Sequence, residues 1–143
     1  MEKEKAIELW KAIYGNALWA KDCYGTWMYR EDYGDCNKTR CMPNGNGKSY
    51  NYGWEIDHIR PKSDYANEND ANFYNSYEIV WYGNNREKAD NYPQFTIGNR
   101  KYKVVKCDIC GKNGYRGYGI VSLDTGKRVD WKAKSNRYFK TNN

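Results

Sequence analysis

The 143-residue sequence predicts an α+β fold in a single domain. Three observations lead there. Apolar residues recur at helical spacing near the N-terminus. Short runs rich in aromatic and β-branched residues follow, bounded by Gly, Pro and Asn. A second short helical segment then lies between Gly83 and Pro93. A chain of this size fills one domain with a modest core. Within it we distinguish an N-terminal helix and strand (1–35), a polar loop (36–53), a strand–strand–helix segment (54–93) and a basic, β-rich C-terminal extension (94–143).

Glu2 to Tyr14 reads as an amphipathic helix, with Ala6, Ile7, Leu9, Trp10 and Ile13 at helical spacing, acids in the first turn and Gly15 as the stop. Ala17 to Asp22 reads as a shorter helical or irregular piece, and Cys23 to Tyr33 as extended chain punctuated by Gly25 and Gly34. Residues 35–53 are polar and form a long loop that cannot bury itself. Trp54–Ile59 is a strand ended by Pro61, residues 62–74 are a polar loop, and Tyr77–Trp81 is a second strand. Gly83 and Asn84 open a helix of about two turns over Asn85 to Asn91, stopped by Pro93. Beyond it, Lys101–Val105 is a strand, Cys107 to Gly111 a tight knuckle, and Gly119–Leu123 with Arg128–Trp131 a hairpin around Asp124-Thr125-Gly126. The C-terminal end is basic and frayed.

Leu, Ile, Val and Phe are scarce, whereas Tyr (15) and Trp (6) are abundant, so the interior must be built largely from aromatic rings with polar tips. No stretch approaches a membrane span, and no apolar segment follows the charged N-terminus as a secretion signal would. Five cysteines without an export signal point to thiols or metal ligands in a reducing, cytoplasmic setting. Charge is segregated: residues 100–143 carry twelve basic side chains against three acids, whereas residues 1–99 carry twelve against fifteen. A basic face of that kind suits phosphates. Tyr102, Tyr115, Tyr118, Trp131 and Tyr138 are interleaved with its cations, as rings that stack on bases would be.

The only histidine stands in Trp54-Glu55-Ile56-Asp57-His58-Ile59-Arg60-Pro61. Asn84-Asn85-Arg86-Glu87-Lys88-Ala89-Asp90 follows, with Asn85 27 residues after His58. An Asp-His pair, then Asn with Lys three and Asp five residues on, resembles the HNH nuclease family. It is similar to the variant whose last motif position is Asn, as in the HNH domain of RNA-guided CRISPR effectors. Trp19 to Gly25, Tyr33-Gly34 and Gly53-Trp54 extend the likeness to small stand-alone bacterial and phage HNH proteins.

The resemblance implies a ββα-metal core and a metal-dependent endonuclease acting on DNA, double-stranded by expectation. Asp57 and Asn85 would be ligands of one Mg²⁺ or Mn²⁺, and His58 the general base, with Lys88 contacting phosphate or holding the helix. Asp90 reads as a packing or capping carboxylate. The middle motif residue, which orients the base, falls on Ser76 by ungapped counting, with Asn75 one residue earlier; both stay open, as does Asn84 beside Asn85. One carboxylate and one amide oxygen completed by waters suit a hard cation, and a lone histidine excludes a two-His metal site.

Cys107 and Cys110 are spaced as half a zinc knuckle, and Cys36 with Cys41 supplies the other half of a four-thiolate structural Zn²⁺ site. Free cysteines are the competing reading, and Cys23 reads as a core thiol. Arg60, Lys62, Arg86, Lys101, Lys103, Arg116, Lys127, Arg128 and Lys132 are the expected nucleic-acid contacts. Two other functions remain open: a catalytically silent, nuclease-derived binding or phage inhibitor protein, and a nuclease directed at RNA.

Overall fold

The computed structural model describes residues 1–43, 45–64, 66–67, 77–107 and 117–131. They form a mixed α+β structure with two α-helices and several small sheets among the described residues. The residues cluster into two compact units, neither continuous in sequence: Met1–Ile56 with Ile79–Asn85, and Asp57–Glu78 with Arg86–Asn143.

The first unit is organised on aromatic rings. Helix α1 (Lys3–Tyr14) buries Ala6, Leu9 and Trp10, and Gly15 closes it at φ 66° by donating its N–H to Lys11 O. The Trp10 ring lies 5.0 Å from that of Trp54, and its indole N–H donates to Ala17 O. The segment expected to be helical or irregular instead gives strand β1 (Trp19–Lys21), paired antiparallel with β2 (Trp27–Tyr29). Asp22 causes this: its Oδ1 accepts the backbone N–H groups of Tyr24 and Thr26, closing a tight turn that only a hairpin continues. A 3₁₀ turn, Arg30–Asp32, follows.

The polar loop holds a two-residue ladder, β3 (Arg40–Cys41) against β4 (Ser49–Tyr50). It is tied down by Arg40, which donates to both oxygens of buried Asp32 at 2.7 and 2.9 Å. Strand β5 (Trp54–His58) brings in Trp54, fully buried, with its indole N–H shared by Tyr29 O and Arg30 O. Gly53 precedes it because a Cβ there would lie 1.9 Å from Asp35 O. Strand β6 (Tyr77–Trp81) pairs with β5 and runs directly into α2 (Tyr82–Lys88). The helix starts and stops three residues before the expected Asn85 to Asn91. Tyr82 N–H is already held by Gly53 O, and Ala89 turns left-handed at φ 49°.

The second unit is built on an antiparallel meander, β7 (Gln94–Ile97), β8 (Arg100–Cys107) and β9 (Gly117–Ser122). Strand β7 is not anticipated in the sequence, where Pro93 reads as a stop. Alternation is regular: Phe95, Ile97, Tyr102, Val104, Tyr118 and Ile120 are buried, while Gln94, Thr96, Lys101 and Lys103 face outward. The expected turn after β9 forms, with Gly126 N–H on Ser122 O and an antiparallel bridge between Val121 and Arg128. Buried Asp130 then receives Arg128 and Ile120 N–H, and buried Glu78 receives the Trp131 backbone N–H. The knuckle at 107–111 falls outside the described residues, apart from the Cys107 backbone that ends β8, and so does the basic end beyond Trp131.

Candidate functional site

Asp57 and His58 are the last two residues of β5, and strand alternation sends them to opposite sides. Asp57 is 5% exposed, whereas His58 is half-buried with its ring edge-on to Tyr77 at 5.1 Å between centroids. Lys88, from the last turn of α2, is only 1% exposed. Its Nζ lies 3.2 Å from Asp57 Oδ1, 3.4 Å from His58 O and 5.4 Å from the centre of the Phe95 ring. The second carboxylate oxygen, Asp57 Oδ2, is buried with no hydrogen-bond partner among the described residues.

Burial pushes the Asp57 carboxyl up to about 6. The Lys88 ammonium, by charge and by hydrogen bond, pulls in the other direction, and the charge of exposed Asp90 adds to the rise. Desolvation wins because neither partner of the ion pair has much contact with water.

The twin asparagines separate cleanly within the first unit. Asn84 is buried and spends both amide protons, on Asp22 Oδ2 at 2.9 Å and Thr26 Oγ1 at 2.8 Å. Asp22 Oδ2 also accepts the Trp81 backbone N–H. Burial raises the Asp22 carboxyl above its ordinary value, against the hydrogen bonds that Thr26, Asn84, Trp81 and Tyr24 donate. Asn85 is half-buried and donates to Glu55 Oε1 at 3.2 Å, which leaves its amide oxygen as an acceptor. Asn75 and Ser76 lie outside the described residues.

Asp57 Oδ2 is an acceptor that a cation would satisfy, but no group of three or more His, Cys, Asp or Glu gathers among the described residues. Cys36 is half-buried and Cys41 exposed, both as free thiols, and Cys41 Sγ lies 3.3 Å from Ser49 Oγ. Cys23 is half-buried. Cys110 and the Cys107 side chain lie outside the described residues.

No family model, curated protein or solved structure matches this chain.

Among the basic residues, Lys62, Arg86, Lys101, Lys103 and Lys127 are exposed, and Arg116 and Lys132 lie outside the described residues. Two of the expected phosphate contacts have internal work. Arg60 donates to Tyr118 Oη at 2.7 Å and Asp64 O at 2.6 Å. Arg128 is bound to Asp130 through both carboxylate oxygens, its guanidinium lying against Gly119. Of the rings interleaved with these cations, the three that are described are not available for stacking. Tyr102, Tyr118 and Trp131 are buried at 5, 8 and 4% exposure; β alternation turns Tyr102 and Tyr118 inward while Lys101 and Lys103 face water. Tyr115 and Tyr138 fall outside the described residues. Sequence reasoning missed Glu55, Asp22 and Tyr77 as neighbours of the motif residues; Glu55 and Tyr77 are marked only by their places on β5 and β6, and Asp22 by the turn between β1 and β2. No described helix is long and apolar enough to cross a membrane.

Proposed function

We propose that the chain is a metal-dependent endonuclease of HNH type acting on DNA. The observation that carries this reading is the Asp57-His58 doublet at the end of one strand of a strand–strand–helix segment, with Lys88 of the helix on the Asp57 carboxylate. Asp57 would be a ligand of Mg²⁺ or Mn²⁺, which would offset charge on the scissile phosphate and the leaving oxygen. His58, on the more open side of β5, accepts a proton from the attacking water. Tyr77 against its ring limits the orientations that it can take. Lys88 draws the Asp57 carboxylate toward its ionised form, the form that a cation requires. Lys101 and Lys103, outward on β8, give phosphates a basic strip.

A second reading is favoured by one observation. Asp57 is buried, shares an oxygen with an ammonium and holds its proton to about pH 6, which disfavours a cation. A nuclease-derived binding protein without cleavage would carry such a pair as a structural tie between helix and strand. Incubating the protein with supercoiled plasmid, and separately with RNA, in Mg²⁺ or Mn²⁺ decides between them. The endonuclease nicks or linearises plasmid and stops with EDTA; the binding protein leaves it intact while still retarding it on a gel.

A further inference from the structure

The first compact unit contains a groove of about 580 Å³ whose lining includes five aromatic rings: Trp27, Tyr50, Tyr52, Trp81 and Tyr82. Among the described residues, no charged side chain lines it. Trp27 and Tyr50 leave 37% and 48% of their surface in water, a poor use of large rings unless something covers them. The walls are set in advance. The Trp81 indole N–H donates to Asn51 O at 2.9 Å, and its ring folds over Gly83, where a Cβ would come within 2.1 Å. Glycine inside a helix costs stability, and here it makes room for the ring. Tyr52 is fixed edge-on to Trp19 at 4.9 Å and to Tyr50 at 6.3 Å.

Two polar features complete the groove. Asn51 Oδ1 is committed to Gly53 N–H, while its Nδ2 is a buried donor with no partner among the described residues. At the Trp27 end, Lys21 Nζ lies 5.2 Å from the ring centre, and exposed Lys48 stands two residues before Tyr50.

We propose that this groove is a nucleobase-stacking site, which seats one unpaired base of a single strand with Lys21 and Lys48 on the flanking phosphates. The charge pattern selects this occupant. A neutral aromatic floor beside cations matches a neutral base between anionic phosphates, whereas a neutral glycan would use the rings and leave the lysines idle. The proposal rests on the nucleic-acid reading for its class of partner alone, and uses neither Asp57 nor His58.

The test is a titration of the full chain in EDTA, followed by tryptophan fluorescence and by anisotropy of the labelled probe. The probes are a mixed-sequence single strand of about twelve nucleotides, an abasic strand of equal length and a neutral oligosaccharide. The base-bearing strand should quench tryptophan and bind about tenfold or more tighter than the abasic one. Trp27→Ala and Tyr50→Ala should each erase most of that difference, Trp27→Phe should keep it, and Lys21→Ala should weaken both strands alike. Melting curves identify any variant that is unfolded, and the wild-type comparison of the two strands needs no variant. Equal affinity for base-bearing and abasic strands overturns the proposal. So does unchanged discrimination in folded Trp27→Ala and Tyr50→Ala, or saturable binding of the oligosaccharide that Trp27→Ala abolishes. Base discrimination without plasmid cleavage sinks the endonuclease reading and leaves this site standing. Cleavage without base discrimination does the reverse.

Discussion

Replacing Lys88 by Met keeps the length of the side chain and removes the ammonium facing Asp57, and the consequence depends on pH. Both partners are nearly inaccessible, at 1% and 6% side-chain exposure, and the carboxylate keeps one oxygen with no other partner among the described residues. Breaking a buried pair by removing one member leaves an uncompensated charge, a loss of about 3–5 kcal/mol when that charge is present. Asp57 escapes the loss by keeping its proton. Its carboxyl sits at about 6 with Lys88 pulling it down, and rises further without Lys88. At pH 5 the carboxyl is mostly neutral in both proteins, so the difference shrinks to a hydrogen bond and some packing, about 1 kcal/mol. At pH 8 wild type holds the ionised pair, whereas the variant must either bury the bare charge or take up a proton from dilute solution, so the loss is larger. Urea unfolding with chelator present, at both pH values, measures this directly. A loss of the same size at pH 5 and pH 8, or none at pH 8, would refute the account of Asp57 and Lys88 as a buried, proton-linked pair.

The remaining predictions concern neighbouring features. Because the Asp57 carboxyl moves from an ordinary 3.8 to about 6 on folding, the folded protein holds a proton between those values that the unfolded chain has released. Stability therefore falls as pH rises through that window, by about 3 kcal/mol from this group. The slope of wild type minus Asp57→Asn in chelator should carry that fall, and a flat difference contradicts it. Gly83→Ala, which in an open helix would add about 1 kcal/mol, should lower the melting temperature here because the new Cβ meets the Trp81 ring; a gain in stability would show the ring is free to move. Replacing Lys101 and Lys103 by Ala should reduce the slope of log affinity for duplex DNA against log salt by about 2, without change in sequence preference. An unchanged slope would move the phosphate contacts elsewhere.

What the sequence disclosed follows from how local each signal is. Helix α1, β5, β6 and the turn at Asp124-Thr125-Gly126 are set by short-range periodicity and turn chemistry, and they form where expected. The β1–β2 hairpin was hidden because Asp22 acts through its side chain, folding back two and four residues. Strand β7 was hidden behind Pro93, whose missing N–H costs nothing just before a strand begins; its carbonyl accepts Val104 N–H instead. In the candidate site, the residue types and their order were legible from the motif. That Asn84 is spoken for by Asp22 and Thr26 was not, since those partners lie 62 and 58 residues away. The aromatic count gave the right material for the core and the wrong place for stacking. Tyr102, Tyr118 and Trp131 went inside, and among the described residues the exposed rings are Trp27, Tyr50 and Tyr92.

The central claim is that His58 serves as the base in metal-dependent cleavage of DNA. Its most direct test compares wild type with His58→Ala on supercoiled plasmid in Mg²⁺ or Mn²⁺, with DNA affinity measured in parallel in EDTA. The account predicts that the variant loses about 10²–10⁴-fold in cleavage rate and keeps wild-type affinity and melting temperature. A variant that cuts as fast as wild type, or a wild type that binds plasmid and never cuts it, would contradict the claim.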